Sequence, residues 1–175
     1  LDTGEELTHV TGLLERAGLI DSTWYTDESS ERGTRIHSLT TQYDFGALDV
    51  KSCVSVERGY LLGHVAVMRA LRPTWTSIEE PFVNPFYLFA GRPDRIGKVG
   101  GVLTVLEVKS GAPVRSHAIQ TALQAILVAT PGGLPASSYQ RMAEYLKPNG
   151  KFKLELFTDH RDFDEAYKIL GECCR

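Results

Sequence analysis

Cysteine is scarce in this chain and poorly placed for a cross-linked scaffold. The three present, Cys53, Cys173 and Cys174, are odd in number and two are adjacent. They make neither a disulfide framework nor a Cys-x-x-Cys zinc site, and reduced thiols are expected. No stretch approaches the roughly 20 apolar residues of a membrane span. The first residues lack the basic-then-apolar pattern of a signal peptide, and the opening on Leu1 is read as a trimmed start. Together these point to a cytoplasmic protein with no membrane partner. Positive charge is not in excess either. A net charge of −3 argues against indiscriminate coating of nucleic acid, because sequence-independent affinity comes from neutralising phosphates with Lys and Arg. Any nucleic-acid site must be local. There is no internal repeat and no low-complexity segment.

What is present suits one domain spanning residues 1–175. That length and a hydrophobic content of 42% are enough for a single core. Leu7, Val10, Leu13 and Leu14 lie at helical spacing and predict a helix over 5–17, with Gly18 as its cap. A second helix is expected over 29–43, with Ile36, Leu39 and Tyr43 as its apolar stripe. Gly33 inside it costs roughly 1 kcal/mol against alanine, which points to a close approach by a backbone or a ligand. A third helix over 54–71 ends before Pro73.

From Thr74 onward the pattern turns to strands, through Trp75, Ile78, Phe82-Val83 and Phe86-Tyr87-Leu88-Phe89. Gly97 to Gly101 reads as a short turn. In 102–109 both alternating faces are largely apolar, as in a central strand covered on both sides. A helix over 116–129, a hairpin of 139–146 with 152–157 about Asn149-Gly150, and a helix over 162–173 complete the pattern. The expected class is α/β, with a central mixed sheet flanked by helices and a core like that of restriction endonucleases.

The chemistry gathers near the middle of the chain. From Gly91 to Arg115 the basic residues are Arg92, Arg95, Lys98, Lys109 and Arg115, against only Asp94 and Glu107. Glu107 and Lys109 leave the same face of their strand. A buried unpaired charge is costly, so they must be paired, bind a metal or open into a cleft. A plain Glu–Lys ion pair at a sheet edge is the alternative. Asp94, on the preceding strand, is placed to face Glu107, and two carboxylates tolerate each other best with a cation between them. His117, Gln120 and Gln124 make a polar stripe on an otherwise apolar helix, which suggests a face toward a cleft. Trp24 and Tyr25 are candidates for stacking on an unpaired base. Glu79 and Glu80, ahead of the core strands, are placed to offer a supporting acid.

Taken together these residues resemble the PD-(D/E)xK nuclease superfamily, most closely the phage-type exonuclease branch grouped with lambda exonuclease and the RecB nuclease domain. Arg32-Gly33-Thr34-Arg35-Ile36-His37 is similar to that branch's Gly-x-x-x-His. Gly91-Arg92-Pro93-Asp94 is similar to its Gly-x-x-Asp, and Glu107-Val108-Lys109 to its hallmark strand. Gln120 lies where the family has Gln-x-x-x-Tyr, with Gln124 in place of the tyrosine. The resemblance implies Mg²⁺ or Mn²⁺ held by His37, Asp94, Glu107 and the Val108 carbonyl. Asp94, Glu107, Lys109 and Gln120 are then catalytic, and Lys109 contacts the attacking water or the phosphate.

Arg32, Arg35 and Arg92 are candidates to grip substrate phosphate, since guanidinium forks suit it. The implied substrate is DNA, digested from an end. A homo-oligomer is possible in that branch, and the location is the host cytoplasm if the chain is phage-encoded. Some relatives carry a four-cysteine iron–sulfur cluster, which three cysteines cannot supply. Two alternatives stand beside this reading: a structure-selective endonuclease on the same fold, and a non-catalytic DNA-binding module that has kept it.

Overall fold

The computed structural model describes residues 7–20, 26–51, 53, 56–129 and 133–173. Trp24, Tyr25 and Cys174 lie outside them. Five strands form the main sheet: β2 (Thr74–Ile78), β5 (Arg95–Val99), β6 (Val102–Lys109), β7 (Gln140–Leu146) and β8 (Phe152–Phe157), in the order β2-β5-β6-β7-β8. β6 and β7 run parallel and the other neighbours antiparallel, so the sheet is mixed. A parallel pair requires a crossover. Helix α4 (Arg115–Ala129) supplies it. The helices α1 (Val10–Arg16), α2 (Asp27–Asp44), α3 (Arg58–Leu71) and α5 (Arg161–Cys173) complete the α/β layers. Among the described residues, no helix is long and apolar enough to cross a membrane.

The alternation along β6 sets the layers. Val105 joins a core with Leu13, Leu14, Leu123 and Leu170 from α1, α4 and α5. Leu106 and Val108 join Ile36 and Tyr60 from α2 and α3. Both faces of the strand are therefore covered, as its two apolar stripes require. At the polar end of β6 Glu107 is buried and Lys109 half-buried.

Four expectations are corrected. Phe86-Tyr87-Leu88 is a turn, not strand, and leads into β4 (Phe89–Gly91). Asn84 accounts for this: its Oδ1 accepts from the amides of Phe86 and Tyr87, both at 3.0 Å, the side-chain-to-backbone turn that asparagine favours. β4 pairs with β3 (Phe82–Asn84) and β1 (Thr8–His9) in a separate three-stranded sheet, so the strands after Thr74 do not form one sheet. Thr8–His9, within the first predicted helix, are likewise strand, with α1 beginning only at Val10, and residues 5 and 6 lie outside the described residues.

Gly97 belongs to β5. The turn itself is Gly100-Gly101, with φ of +58° and +84°, between the paired Val99 and Val102. Such a two-residue turn with both φ positive suits antiparallel strands. Gly97 serves a different purpose, because β2 bulges against it between Trp75 and Ser77. A Cβ there would lie 2.2 Å from the Thr74 carbonyl oxygen. Gly97→Ala is expected to destabilise the fold by about 1–3 kcal/mol, the usual cost of overpacking. Urea unfolding with an unchanged midpoint would refute this.

Candidate active site

α2 begins at the Thr26 cap, whose side chain accepts from the Ser29 amide. Ser30, Gly33, Thr34 and His37 then follow one another along one face of the helix. That face lines a cleft of about 750 Å³ whose other walls include Glu79, Val108, Lys109, His117 and Gln120. Among the described residues Gly33 meets no second backbone, since a Cβ added there finds nothing within 4 Å. The glycine opens the cleft rather than closing a helix contact.

His37 and Glu79, which line the cleft, converge with the buried Asp94, one ligand atom from each all lying within 4.8 Å of one another. His37 Nδ1 lies 3.1 Å from Glu79 Oε1 and 3.4 Å from Asp94 Oδ1. Burial by itself would lower the His37 pKa, but the Asp94, Glu79 and Glu107 carboxylates outweigh it and raise it to about 10. Two carboxylates placed on either side of the imidazole nitrogen favour a positive charge at this point. Two carboxylates and an imidazole are also a chemically suitable donor set for Mg²⁺ or Mn²⁺.

Each ligand is locally fixed. Asp94 Oδ2 accepts from the Val108 amide at 2.7 Å, which ties it to β6 and leaves Oδ1 on the His37 side. Glu79 follows the end of β2 in a left-handed conformation, φ +54°, and its amide donates to the Asp94 carbonyl at 3.0 Å. A non-glycine residue held there costs of order 1–3 kcal/mol, a strain found most often at functional positions. The sequence offered Glu79 only as a supporting acid. Its place beside Asp94 follows from the antiparallel register Ile78↔Arg95, which no local pattern reveals.

Glu107 is 3% exposed and lies outside this three-ligand group. Its Oε1 accepts from Lys109 Nζ at 2.9 Å and Gln120 Nε2 at 2.6 Å, and its Oε2 from Gln124 Nε2 at 2.7 Å. Gln120 Oε1 in turn accepts from Lys109 at 3.0 Å. The Glu–Lys pair is present on a central strand rather than at a sheet edge, with Lys109 lining the cleft and Glu107 buried behind it. Gln124, where the resembled family has tyrosine, is a direct support of the acid.

Arg95 and its neighbours escaped sequence reasoning. Arg95 is fully buried. Its Nε donates to Asp44 at 2.6 Å, one terminal nitrogen to the Asp94 carbonyl at 2.7 Å and the other to Thr40 at 3.3 Å. It also comes within 3.8 Å of Glu79 Oε1. Asp44 reaches on to His64 Nε2 at 3.1 Å, and His64 Nδ1 to Glu144 at 2.6 Å. Burial opposes the charge on His64, but Glu144 and Asp44 raise its pKa to about 9. This chain of charges lies behind the His37–Glu79–Asp94 group and joins it to α3 and β7.

The three candidate phosphate-gripping arginines separate. Arg32 lines the cleft, and its Nε is buried without a partner among the described residues. Arg35 is taken up by Glu57 at 2.7 Å and Glu31 at 3.5 Å, and lies outside the cleft wall. Arg92 is exposed and also outside it. The local positive excess is similarly reduced, because Arg95 is internal and Arg115 pairs with Asp162 and Glu165.

No family model matches the chain, and no curated protein does. Among solved structures, the chain is similar to the crystal structure of a "Putative exonuclease" from Eubacterium rectale. The likeness has a TM-score of 0.59 at 10% identity and covers 96% of this chain and 78% of the other. At that identity it is a likeness of fold, consistent with a mixed sheet flanked by helices.

Proposed function

We propose that this protein is a metal-dependent nuclease that hydrolyses phosphodiester bonds in DNA, acting on ends as phage-type exonucleases do. The observation that carries the reading is the convergence of His37, Glu79 and Asp94 at a cleft that Lys109 also lines. The fold likeness to a chain described as a "Putative exonuclease" supports it. The resemblance of the sequence to PD-(D/E)xK nucleases is independent of that likeness.

In this reading His37, Glu79 and Asp94 hold Mg²⁺ or Mn²⁺, with Glu107 and the Val108 carbonyl adjacent. When bound, the cation supplies Lewis acidity at the scissile phosphate and neutralises charge on the leaving oxygen. Lys109, held by Glu107 and Gln120, places a cation where negative charge develops on the pentacoordinate phosphorus. Gln120 and Gln124 fix Glu107, and through it Lys109, so little reorganisation accompanies the reaction. Arg32 meets substrate phosphate from the α2 side.

The test is incubation with 5′-labelled linear duplex and with a covalently closed circle, in Mg²⁺ or Mn²⁺. The linear substrate should be consumed and the circle left intact. Lys109→Ala should slow cleavage about 100-fold or more, the usual scale for losing a charge-stabilising group. Failure of the wild-type protein to cut either substrate sinks the proposal. Cutting of the circle favours the endonuclease reading, and equal cleavage by Lys109→Ala removes that residue from the mechanism.

A further inference from the structure

His117 begins the polar stripe of α4 and lines the same cleft as Lys109 and Gln120. Its Nδ1 lies 3.0 Å from the Tyr145 hydroxyl and 3.5 Å from the Val114 amide. A backbone amide can only donate, so this geometry assigns Nδ1 as the acceptor and the ring proton to Nε2. Among the described residues nothing accepts from Nε2. The ring is held firmly, 5.5 Å from the ring of Tyr145 at a 36° tilt. Tyr145 is itself only 2% exposed and is the β7 register partner of Lys109. The imidazole is thus fixed on the side of the cleft where Lys109 lies.

We infer that His117 contacts the substrate, its Nε2–H donating to a non-bridging oxygen of the phosphate that lies beside Lys109. This rests on the nuclease reading above. Phosphate oxygens are strong acceptors, and a bond to a charged oxygen is worth more than a neutral one. Burial and the neighbouring Lys109 lower the His117 pKa to about 4, against an opposing pull from Glu107. The ring is therefore a neutral donor near pH 7, adding direction to the charge that Lys109 supplies. Sequence reasoning placed His117 on a cleft-facing stripe but gave it no part in the chemistry.

His117→Ala should lower kcat/KM on linear duplex roughly 10- to 100-fold, the scale of one hydrogen bond to a charged group. Mn²⁺ affinity should be unchanged. His117→Gln, whose amide can donate from near the Nε2 position, should recover much of the loss. A merely structural role, bracing Val114 and Tyr145, would lower thermal stability without that rescue. Imidazole ¹⁵N shifts in the wild-type protein should report the Nε2–H tautomer, and an Nδ1–H tautomer would overturn the inference whatever the activity. Wild-type cleavage matched by His117→Ala overturns this inference alone. Absence of wild-type cleavage removes the nuclease reading and this with it.

Discussion

Asp94→Asn is expected to abolish measurable Mn²⁺ binding and to slow cleavage at least about 100-fold, while the protein remains folded. The argument lies in how the carboxylate is divided. Its Oδ2 accepts from the Val108 amide at 2.7 Å, and an asparagine can keep that bond through its carbonyl oxygen. The amide nitrogen then points to where Oδ1 faced His37, placing a donor where a cation needs a lone pair. Packing survives and the ligand is lost. Glu79→Gln should weaken Mn²⁺ binding likewise, because its Oε1 is the other oxygen near His37 Nδ1.

Glu107→Gln discriminates between the two acidic groupings. Glu107 is engaged by Lys109, Gln120 and Gln124, so its loss should disturb Lys109 and cleavage more than it disturbs metal affinity. Calorimetry with Mn²⁺ on the three variants, alongside thermal unfolding, measures all of this. Undiminished Mn²⁺ binding by Asp94→Asn would place the cation elsewhere.

The parts of this arrangement that a sequence can show are those written along one element. The two apolar faces of β6, the polar stripe of α4 and the Asn149-Gly150 hairpin each follow from a local period or turn signal. His37, Asp94, Glu107, Lys109 and Gln120 were legible because each sits in a short motif. Glu79 was not, since its role depends on a strand register and a left-handed backbone. The aromatic run 86–88 has strand propensity, but the Asn84-Pro85 turn signal that precedes it decides its structure. Arg35 looked equivalent to Arg32 in the sequence, yet the helix turns it toward Glu57, a residue 22 positions away. Least legible of all were Arg95, Asp44, His64 and Glu144, which lie on four different elements and become neighbours only through the tertiary fold.

That network should give the protein a pH-dependent stability with a definite sign. His64 is fully buried between Asp44 and Glu144, and its pKa rises from 6.5 to about 9. A raised folded-state pKa means the contribution is fully present below about pH 6.5 and is lost as pH climbs through about 9. At about 1.4 kcal/mol per pKa unit, the loss is roughly 3 kcal/mol. His37 is raised in the same direction, so the informative quantity is the difference between wild type and a His64 variant. His64→Leu should cost about 3–5 kcal/mol at pH 6, because it leaves Glu144 buried without its cation. That gap should narrow by pH 9. His64→Leu combined with Glu144→Gln should recover part of the loss, since the orphaned charge is then removed. Urea unfolding at pH 6, 7.5 and 9 reads each value, and a gap independent of pH would show that His64 is not charged in the fold. Because Asp44 also holds Arg95, and Arg95 holds the Asp94 carbonyl, weakening this network should loosen the His37–Glu79–Asp94 group as well. Mn²⁺ affinity of the double variant, compared with wild type at pH 7.5, should therefore fall although no proposed ligand has been touched.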